Sequence, residues 1–316
     1  MGNFYESLIE TMQSGPCVVM TVLEGEEAGK KVLLQEPVEE YHGKRFFCEK
    51  VGLSPKLVIC GGGHVSIPMI HMGKMLGFEV TVLEDRPKFA DNARRAGADT
   101  VICDTFENGL QKISGGKDTY FIIVTRGHRY DATCLGNLLE KSNAYIGMMG
   151  SRRRVAIVKD QLCKQGHLWE KLEQVHTPIG LKIGAETPEE IAVSVMAEII
   201  QVKHENAAGA GYSKQLLKEL CGDTDSEQKK VLATIISRKG SAPRSVGTKM
   251  LIREDGSLID TIGGGCAENE VITKALLMMR EERVQFQICT VDMTREAAEE
   301  EGMVCGGKIE VMLERI

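Results

Sequence analysis

No apolar run in this chain reaches the ~18 residues that a membrane-spanning helix needs, so none is expected. The first residues, Met1-Gly2-Asn3-Phe4-Tyr5-Glu6, lack both the basic stretch and the apolar core of a secretory signal. Glu6 also stands where a myristoylation signal wants Ser or Thr. The ten cysteines include no C-x-x-C pair, which argues against a zinc ribbon and against a secreted disulfide scaffold. Positive charge is not in excess. Lys and Arg number 39 against 45 Asp and Glu, a formal net charge of −6, whereas polyanion binders carry a cationic surplus. Nucleic acid and membrane are therefore not expected partners, and a reducing cytoplasm fits best. Hydrophobic residues make up 42% of the 316 and charged residues 27%, the balance of a globular chain long enough for two domains.

The chemistry of the first domain starts where a short apolar run stops in glycines: Lys56-Leu57-Val58-Ile59-Cys60-Gly61-Gly62-Gly63-His64. About twenty residues later a second apolar run ends in Glu84-Asp85-Arg86, the layout of a Rossmann βαβ unit. In that unit glycines let the backbone approach a phosphate, helix amides meet the anion, and an acid at the second strand end meets a ribose. Gly61, Gly62, Gly63, His64 and Asp85 are the candidate ligand residues here. The segment departs from the dinucleotide fingerprint in two places. Ser66 replaces the third glycine, and His64 lies where a phosphate would sit.

Alternating strands and helices are expected from residue 57 to about residue 204. Strands fall at 56–60, 79–83, 99–103, 119–124 and 144–149, and helices near 65–76, 88–96 and 131–141. Thr187-Pro188-Glu189-Glu190 is a capping box opening a further helix. Two loops follow strands at the end where open α/β sheets bind ligands. They are Arg126-Gly127-His128 and Gly150-Ser151-Arg152-Arg153-Arg154. Arg126, His128, Ser151 and Arg152 are candidate anion contacts, although a triple arginine also fits a solvated helix face.

Residues 206–211 read as a small, flexible linker. Beyond it the pattern changes to a helix near 212–221, strands at 230–236 and 249–252, a helix at about 268–279, and strands at 284–290 and 308–313. Gly263-Gly264-Gly265-Cys266 precedes that second helix, and Gly302-Met303-Val304-Cys305-Gly306-Gly307 precedes the last strand. Such glycines free backbone amides for an anion and admit a bulky ligand. A cysteine near a helix N-terminus has a lowered thiol pKa and, as thiolate, ligates a soft metal or carries sulfur. A buried free cysteine packs as a small hydrophobe instead, and both readings of Cys266 and Cys305 stay open. Gly264, Gly265 and Gly306 accompany them, and Arg244, in Lys239-Gly240-Ser241-Ala242-Pro243-Arg244, could clamp a phosphate.

The chain also echoes itself. Val18–Leu23 resembles Val231–Ile236, Gly29-Lys30-Lys31-Val32-Leu33 resembles Gly247-Thr248-Lys249-Met250-Leu251, and Phe46–Val51 resembles Val311–Ile316. The expected organisation is α/β. A Rossmann-like, doubly wound parallel sheet spans 53–205, a smaller α+β domain spans 212–316, and residues 1–52 form a reduced copy of the small domain. That copy lacks both cysteine loops.

These motifs together resemble the XdhC/CoxI family, accessory proteins of molybdenum hydroxylases such as xanthine dehydrogenase. The resemblance rests on Gly63-His64-Val65, Glu84-Asp85-Arg86-Pro87, Gly127-His128 with Asp131, and Tyr145-Ile146-Gly147 with Gly150-Ser151-Arg152-Arg153. It continues through Pro178-Ile179-Gly180-Leu181, Ile183–Ala192, Gly240–Arg244, Gly263–Cys266 and Cys305-Gly306-Gly307. Family members generally place the cysteine-bearing domain before the Rossmann domain, whereas here it follows. The resemblance implies a chaperone more than a catalyst. Such a protein binds the molybdenum cofactor, protects it during sulfuration and inserts it into an apo molybdenum hydroxylase. Cys266 and Cys305 would touch the molybdenum or its terminal sulfur. A cysteine desulfurase and a second copy of the chain are further expected partners. Two other functions remain open on the residues alone: an NAD(P)-dependent oxidoreductase using the Rossmann domain, and a non-catalytic adaptor.

Overall fold

The computed structural model describes residues 4–13, 15–52, 54–205, 211–222, 228–240, 244–281, 283–292 and 307–316. The chain divides into two compact units, one of residues 54–207 and one built from residues 1–53 together with 208–316.

The second of these begins with helix α1 (Phe4–Gln13), whose buried Tyr5, Leu8 and Met12 recur at helical spacing on one face. Strands β1 (Cys17–Val22), β2 (Lys31–Leu34) and β3 (Phe46–Val51) form an antiparallel sheet in the order β2-β1-β3. Every residue of β1 is buried.

The unit of residues 54–207 is a parallel sheet. Its elements run β4 (Lys56–Cys60), α2 (Ser66–Met75), β5 (Glu79–Glu84), α3 (Pro87–Arg95), β6 (Thr100–Cys103), α4 (Phe106–Gln111) and β7 (Thr119–Ile123). They continue with α5 (His128–Leu138), β8 (Tyr145–Met148), α6 (Arg152–Lys164), α7 (Trp169–Glu173) and α8 (Pro188–Glu205). The strand order is β6-β5-β4-β7-β8, all parallel. The order reverses between β4 and β7, and ligands of such sheets bind outside the carboxyl ends of the strands at that point. All five residues of β7 are buried, as a central strand covered on both faces requires. One core lies on each face of the sheet, around Phe121 and Leu135 on one side and around Ile70 and Val195 on the other. The capping box at Thr187 is formed: the Thr187 hydroxyl accepts from the Glu190 amide, and the Glu190 carboxylate accepts from the Thr187 amide.

The chain then returns to the other unit with α9 (Lys214–Cys221), capped by Ser213, and β9 (Lys230–Lys239), β10 (Lys249–Arg253) and β11 (Leu258–Ile259). Helix α10 (Gly265–Arg280) and strands β12 (Phe286–Asp292) and β13 (Lys308–Arg315) complete it. These strands form an antiparallel sheet in the order β11-β10-β9-β13-β12. Alternate residues of β9 split between two cores. Val231, Ala233 and Ile235 pack with α10, while Leu232 packs with α1, α9 and the first sheet.

Candidate functional site

The glycine turn sits at the end of β4, beside the point where the strand order reverses. Gly61 has φ +115, and a Cβ there would come 2.6 Å from the carbonyl oxygen of Val124. Only glycine fits this conformation and this approach. At Gly62 a Cβ would meet the Phe89 carbonyl at 3.1 Å, whereas at Gly63 nothing among the described residues lies within 4 Å. The turn is thus tight behind its first two glycines and open in front of its third. Ser66, at the third-glycine position of the fingerprint, is fully buried and donates its hydroxyl to the Gly61 carbonyl at 2.5 Å. It ties the turn shut from within. His64 is exposed at the mouth.

The carboxylate against this turn belongs to Glu84, the last residue of β5, which is 1% exposed. One oxygen accepts from the Gly62 amide at 2.6 Å. The other accepts from the backbone amide and the Nε of Arg86 at 3.1 and 2.7 Å. Burial pushes the Glu84 pKa up, but Arg86 and the Gly62 amide outweigh it and hold the carboxyl at about 2. The Gly62 amide is therefore engaged by the protein itself, and the anion-facing part of the turn is the open edge at Gly63 and His64.

Asp85 faces a different partner. Arg126, just beyond β7, forms a bidentate pair with it at 2.7 and 2.8 Å and also donates to the Tyr130 hydroxyl at 2.9 Å. Because β4 lies between β5 and β7, this bridge spans the end of the sheet from one flank of the glycine turn to the other. Behind it Asp131 is fully buried. It accepts from the Thr125 hydroxyl at 2.6 Å and from Arg154 Nε at 2.6 Å. Arg154 Nη2 also donates to the Thr125 carbonyl at 3.3 Å. The last of the three consecutive arginines is therefore a structural tie between the loops after β7 and β8. Arg152 and Arg153 are exposed, and the Ser151 hydroxyl caps α6 by accepting from the Arg154 amide at 3.3 Å.

In the other unit, Gly263, Gly264 and Gly265 have φ of +130, +73 and +69, a left-handed run that suits glycine. They lead into α10, with Cys266 its second residue. One oxygen of Glu268 gathers the turn: it accepts from the amides of Ile262 and Gly264, each at 3.1 Å, and from the Thr261 hydroxyl. Among the described residues, nothing lies within 4 Å of where a Gly264 Cβ would stand. Arg244 is exposed on the loop between β9 and β10.

A model of the XdhC Rossmann domain matches residues 57–199, and a model of the XdhC and CoxI family matches residues 224–292. The chain belongs to the XdhC/CoxI family. Over 159 residues it is 34% identical to the uncharacterized protein YqeB of Escherichia coli (strain K12), covering 50% of this chain and 29% of that one. Over 157 residues it is 31% identical to a probable xanthine dehydrogenase subunit of Bacillus subtilis (strain 168), covering 50% and 46%. A 49-residue stretch is 41% identical to the molybdenum cofactor insertion chaperone PaoD of Escherichia coli (strain K12), covering 16% and 15%. The chain thus spans less than half the length of each of these relatives. A crystal structure described as a xanthine dehydrogenase from Bacillus halodurans shares the fold, with a TM-score of 0.50 and 24% identity over 63% of each chain.

In this XdhC/CoxI chain the parallel sheet brings Gly61, Gly62, Gly63, His64, Asp85, Arg126, Ser151 and Arg152 to the carboxyl ends of its strands. Gly264 and Gly265 lie with Arg244 in the other unit. Cys305 and Gly306 lie outside the described residues, as do the side chains of Cys266 and His128, so the expected proximity of the two cysteines does too. The residues that tie these loops, Glu84, Asp131 and Arg154 in the parallel-sheet unit and Glu268 in the other, were not among the candidates. Glu84 was within reach of the sequence, since extending the strand by one residue puts it, not Asp85, at the strand end. No membrane-length apolar helix occurs among the described residues.

Proposed function

We propose that this protein is a maturation factor for the molybdenum cofactor, holding the cofactor while it is sulfurated and delivering it to an apo molybdenum hydroxylase of the xanthine dehydrogenase type. Membership of the XdhC/CoxI family and the similarity to PaoD and to the Bacillus subtilis protein support a role in maturation linked to this cofactor. The observation that carries the reading is the pair of glycine turns, each opening a helix and each with free space beside one glycine, Gly63 and Gly264.

The cargo is a pterin bearing a phosphate and a dithiolene-bound molybdenum, and the residues suit it. Backbone amides at Gly63 and His64 would bind the phosphate in the manner of a helix N-terminus. Arg126 would add a cation once it exchanges Asp85 for the ligand, with Arg152 and the first turn of α6 alongside. In the other unit Arg244 and Gly265, with Cys305 and Gly306, would serve that unit's own ligand side. Cys266 and Cys305 are proposed as the soft contacts to molybdenum or its terminal sulfur. The implied partners are the apo hydroxylase and a cysteine desulfurase as sulfur source.

Gly63→Val tests the first contact with little risk to the fold. Gly63 has no left-handed φ and no neighbour within 4 Å of its Cβ position, so the side chain adds bulk only where a ligand would lie. Molybdopterin binding should fall by at least about tenfold, some 1.4 kcal/mol, while the melting temperature stays at the parent value. Unchanged binding in a folded variant would remove the glycine turn from the site.

A further inference from the structure

The two small sheets share their registers from Phe46 and Val311 onward, with a shift in the second sheet between Glu310 and Val311. In the first, β1 sets Thr21 opposite Lys31 of β2 and Val19 opposite Glu49 of β3. In the second, β9 sets Thr234 opposite Lys249 of β10 and Leu232 opposite Glu314 of β13. The echo in the sequence puts these same residues in correspondence: Thr21 with Thr234, Lys31 with Lys249, Val19 with Leu232, Glu49 with Glu314. Both sheets have the matching strand order, β2-β1-β3 and β10-β9-β13, antiparallel throughout.

The contacts between the sheets cross over. Lys31 pairs with Glu314, and Lys249 pairs with Glu49. The lysine of each copy meets the glutamate of the other. This is the reciprocal pattern of an isologous two-fold interface, in which residue i contacts j and j contacts i. Apolar neighbours repeat it, with Val19 and Leu232 in one cluster, Leu23 and Ile236 in another, and the rings of Tyr5 and Tyr212 edge to face at 6.0 Å. The four charged side chains are 8, 7, 1 and 4% exposed. Buried ion pairs add little net stability over apolar residues, and their best-attested use is to fix partner and register.

One pair departs from strict symmetry, and the departure is informative. Arg45 and Glu310 precede the corresponding residues Phe46 and Val311, and they meet each other at 2.7 Å. Counterpart positions meet where a two-fold axis passes. Two C-terminal sheets docked in this way would set Glu310 against Glu310, a like-charge clash that disfavours the wrong pairing.

We infer that the face of the β10-β9-β13 sheet covered by the first sheet is a docking surface for a second small unit of the same fold, and that residues 1–53 supply this partner within the chain. The unlike charges of Arg45 and Glu310 favour the pairing of a first copy with a second over the pairing of like copies. The first copy passes from β2 to β3 without counterparts of β11, α10 and β12, so each docked pair carries a single Gly263–Cys266 loop. A homodimer in which each chain keeps its own N-terminal copy must therefore use another surface. The inference rests on the interface alone and stands or falls independently of the cofactor reading.

Co-expression of two full-length variants tests it. Glu49→Lys sets two lysines against each other within its own chain, and Lys249→Glu sets two glutamates against each other. Between the two chains, however, all four pairs match if the N-terminal copies are exchanged. Tagged Glu49→Lys chain should capture the Lys249→Glu chain several-fold more than it captures a second copy of itself. If either variant is insoluble alone, co-expression should recover both. Placing both substitutions in one chain should restore the wild-type mass and melting temperature. Absence of selective capture or recovery, or failure of the combined chain to regain wild-type stability, would overturn the inference.

Discussion

Asp131→Ala should lower the stability of the parallel-sheet unit by about 3 kcal/mol, the low end of the cost of breaking a buried ion pair. Asp131 is fully buried and joins Thr125, in the loop just beyond β7, to Arg154, in the first turn of α6. Removing the carboxylate leaves the Thr125 hydroxyl and the Arg154 guanidinium without this acceptor. Arg154 is 29% exposed and recovers some hydration, which places the cost at the low end. For a unit of this size the loss corresponds to a fall of roughly 6–12 °C in the midpoint. The chain has two units, so the transition must be assigned, for instance by following hydrogen exchange in β7 and α5. Asp131→Asn should cost less because it keeps an acceptor. A double-mutant cycle with Arg154→Met should recover a coupling of more than ~1 kcal/mol. A loss below ~1 kcal/mol in the alanine variant would show that the pair does not hold the two loops.

Gly61→Ala should be about as costly, at roughly 3 kcal/mol from left-handed backbone strain and overpacking together. The added methyl would stand 2.6 Å from the Val124 carbonyl oxygen and 3.3 Å from the Thr125 Cα, both backbone atoms with no rotamer to yield. Relief requires β4 and β7 to separate just where the Val124 amide bonds the Cys60 carbonyl at 2.9 Å. Gly63→Ala, two residues along the same turn, should change stability by less than ~0.5 kcal/mol, because its surroundings are open. Chemical denaturation of the two variants side by side measures the contrast. Equal costs would mean that the turn's tightness does not lie at its first glycine.

Much of this arrangement was legible in the residues, because the forces that set it are local. The apolar runs ending at Cys60 and Ile123 are strands buried on both faces, and the capping box at Thr187 starts α8 at Pro188. The self-similarity of the small sheets was readable because matching registers need matching patterns of inward side chains. Short elements escaped: α4 has six residues, too few for a period to show. Helix α6 escaped for another reason. Its buried Val155, Val158 and Leu162 follow an arginine run whose charges suit an anion-binding loop equally well. Contacts between distant loops were beyond reach. Asp85 and Arg126 each looked like a ligand group, and only the strand order, with β4 between them, brings them together. The crossed pairs Lys31–Glu314 and Lys249–Glu49 likewise depend on how the two sheets face each other.

The glycine turn at Gly61–Gly63 is proposed to serve a pterin-bound molybdenum cargo. Titration of the purified full chain with molybdopterin, NAD and ATP in parallel, followed by pterin fluorescence and calorimetry, tests it most directly. Saturable binding of molybdopterin is expected, weakened by Gly63→Val, with NAD and ATP at least about a hundredfold weaker, a difference near 2.7 kcal/mol. Tight binding of NAD with no binding of molybdopterin would contradict it and return the parallel sheet to an oxidoreductase, and no binding of any of the three would leave an adaptor.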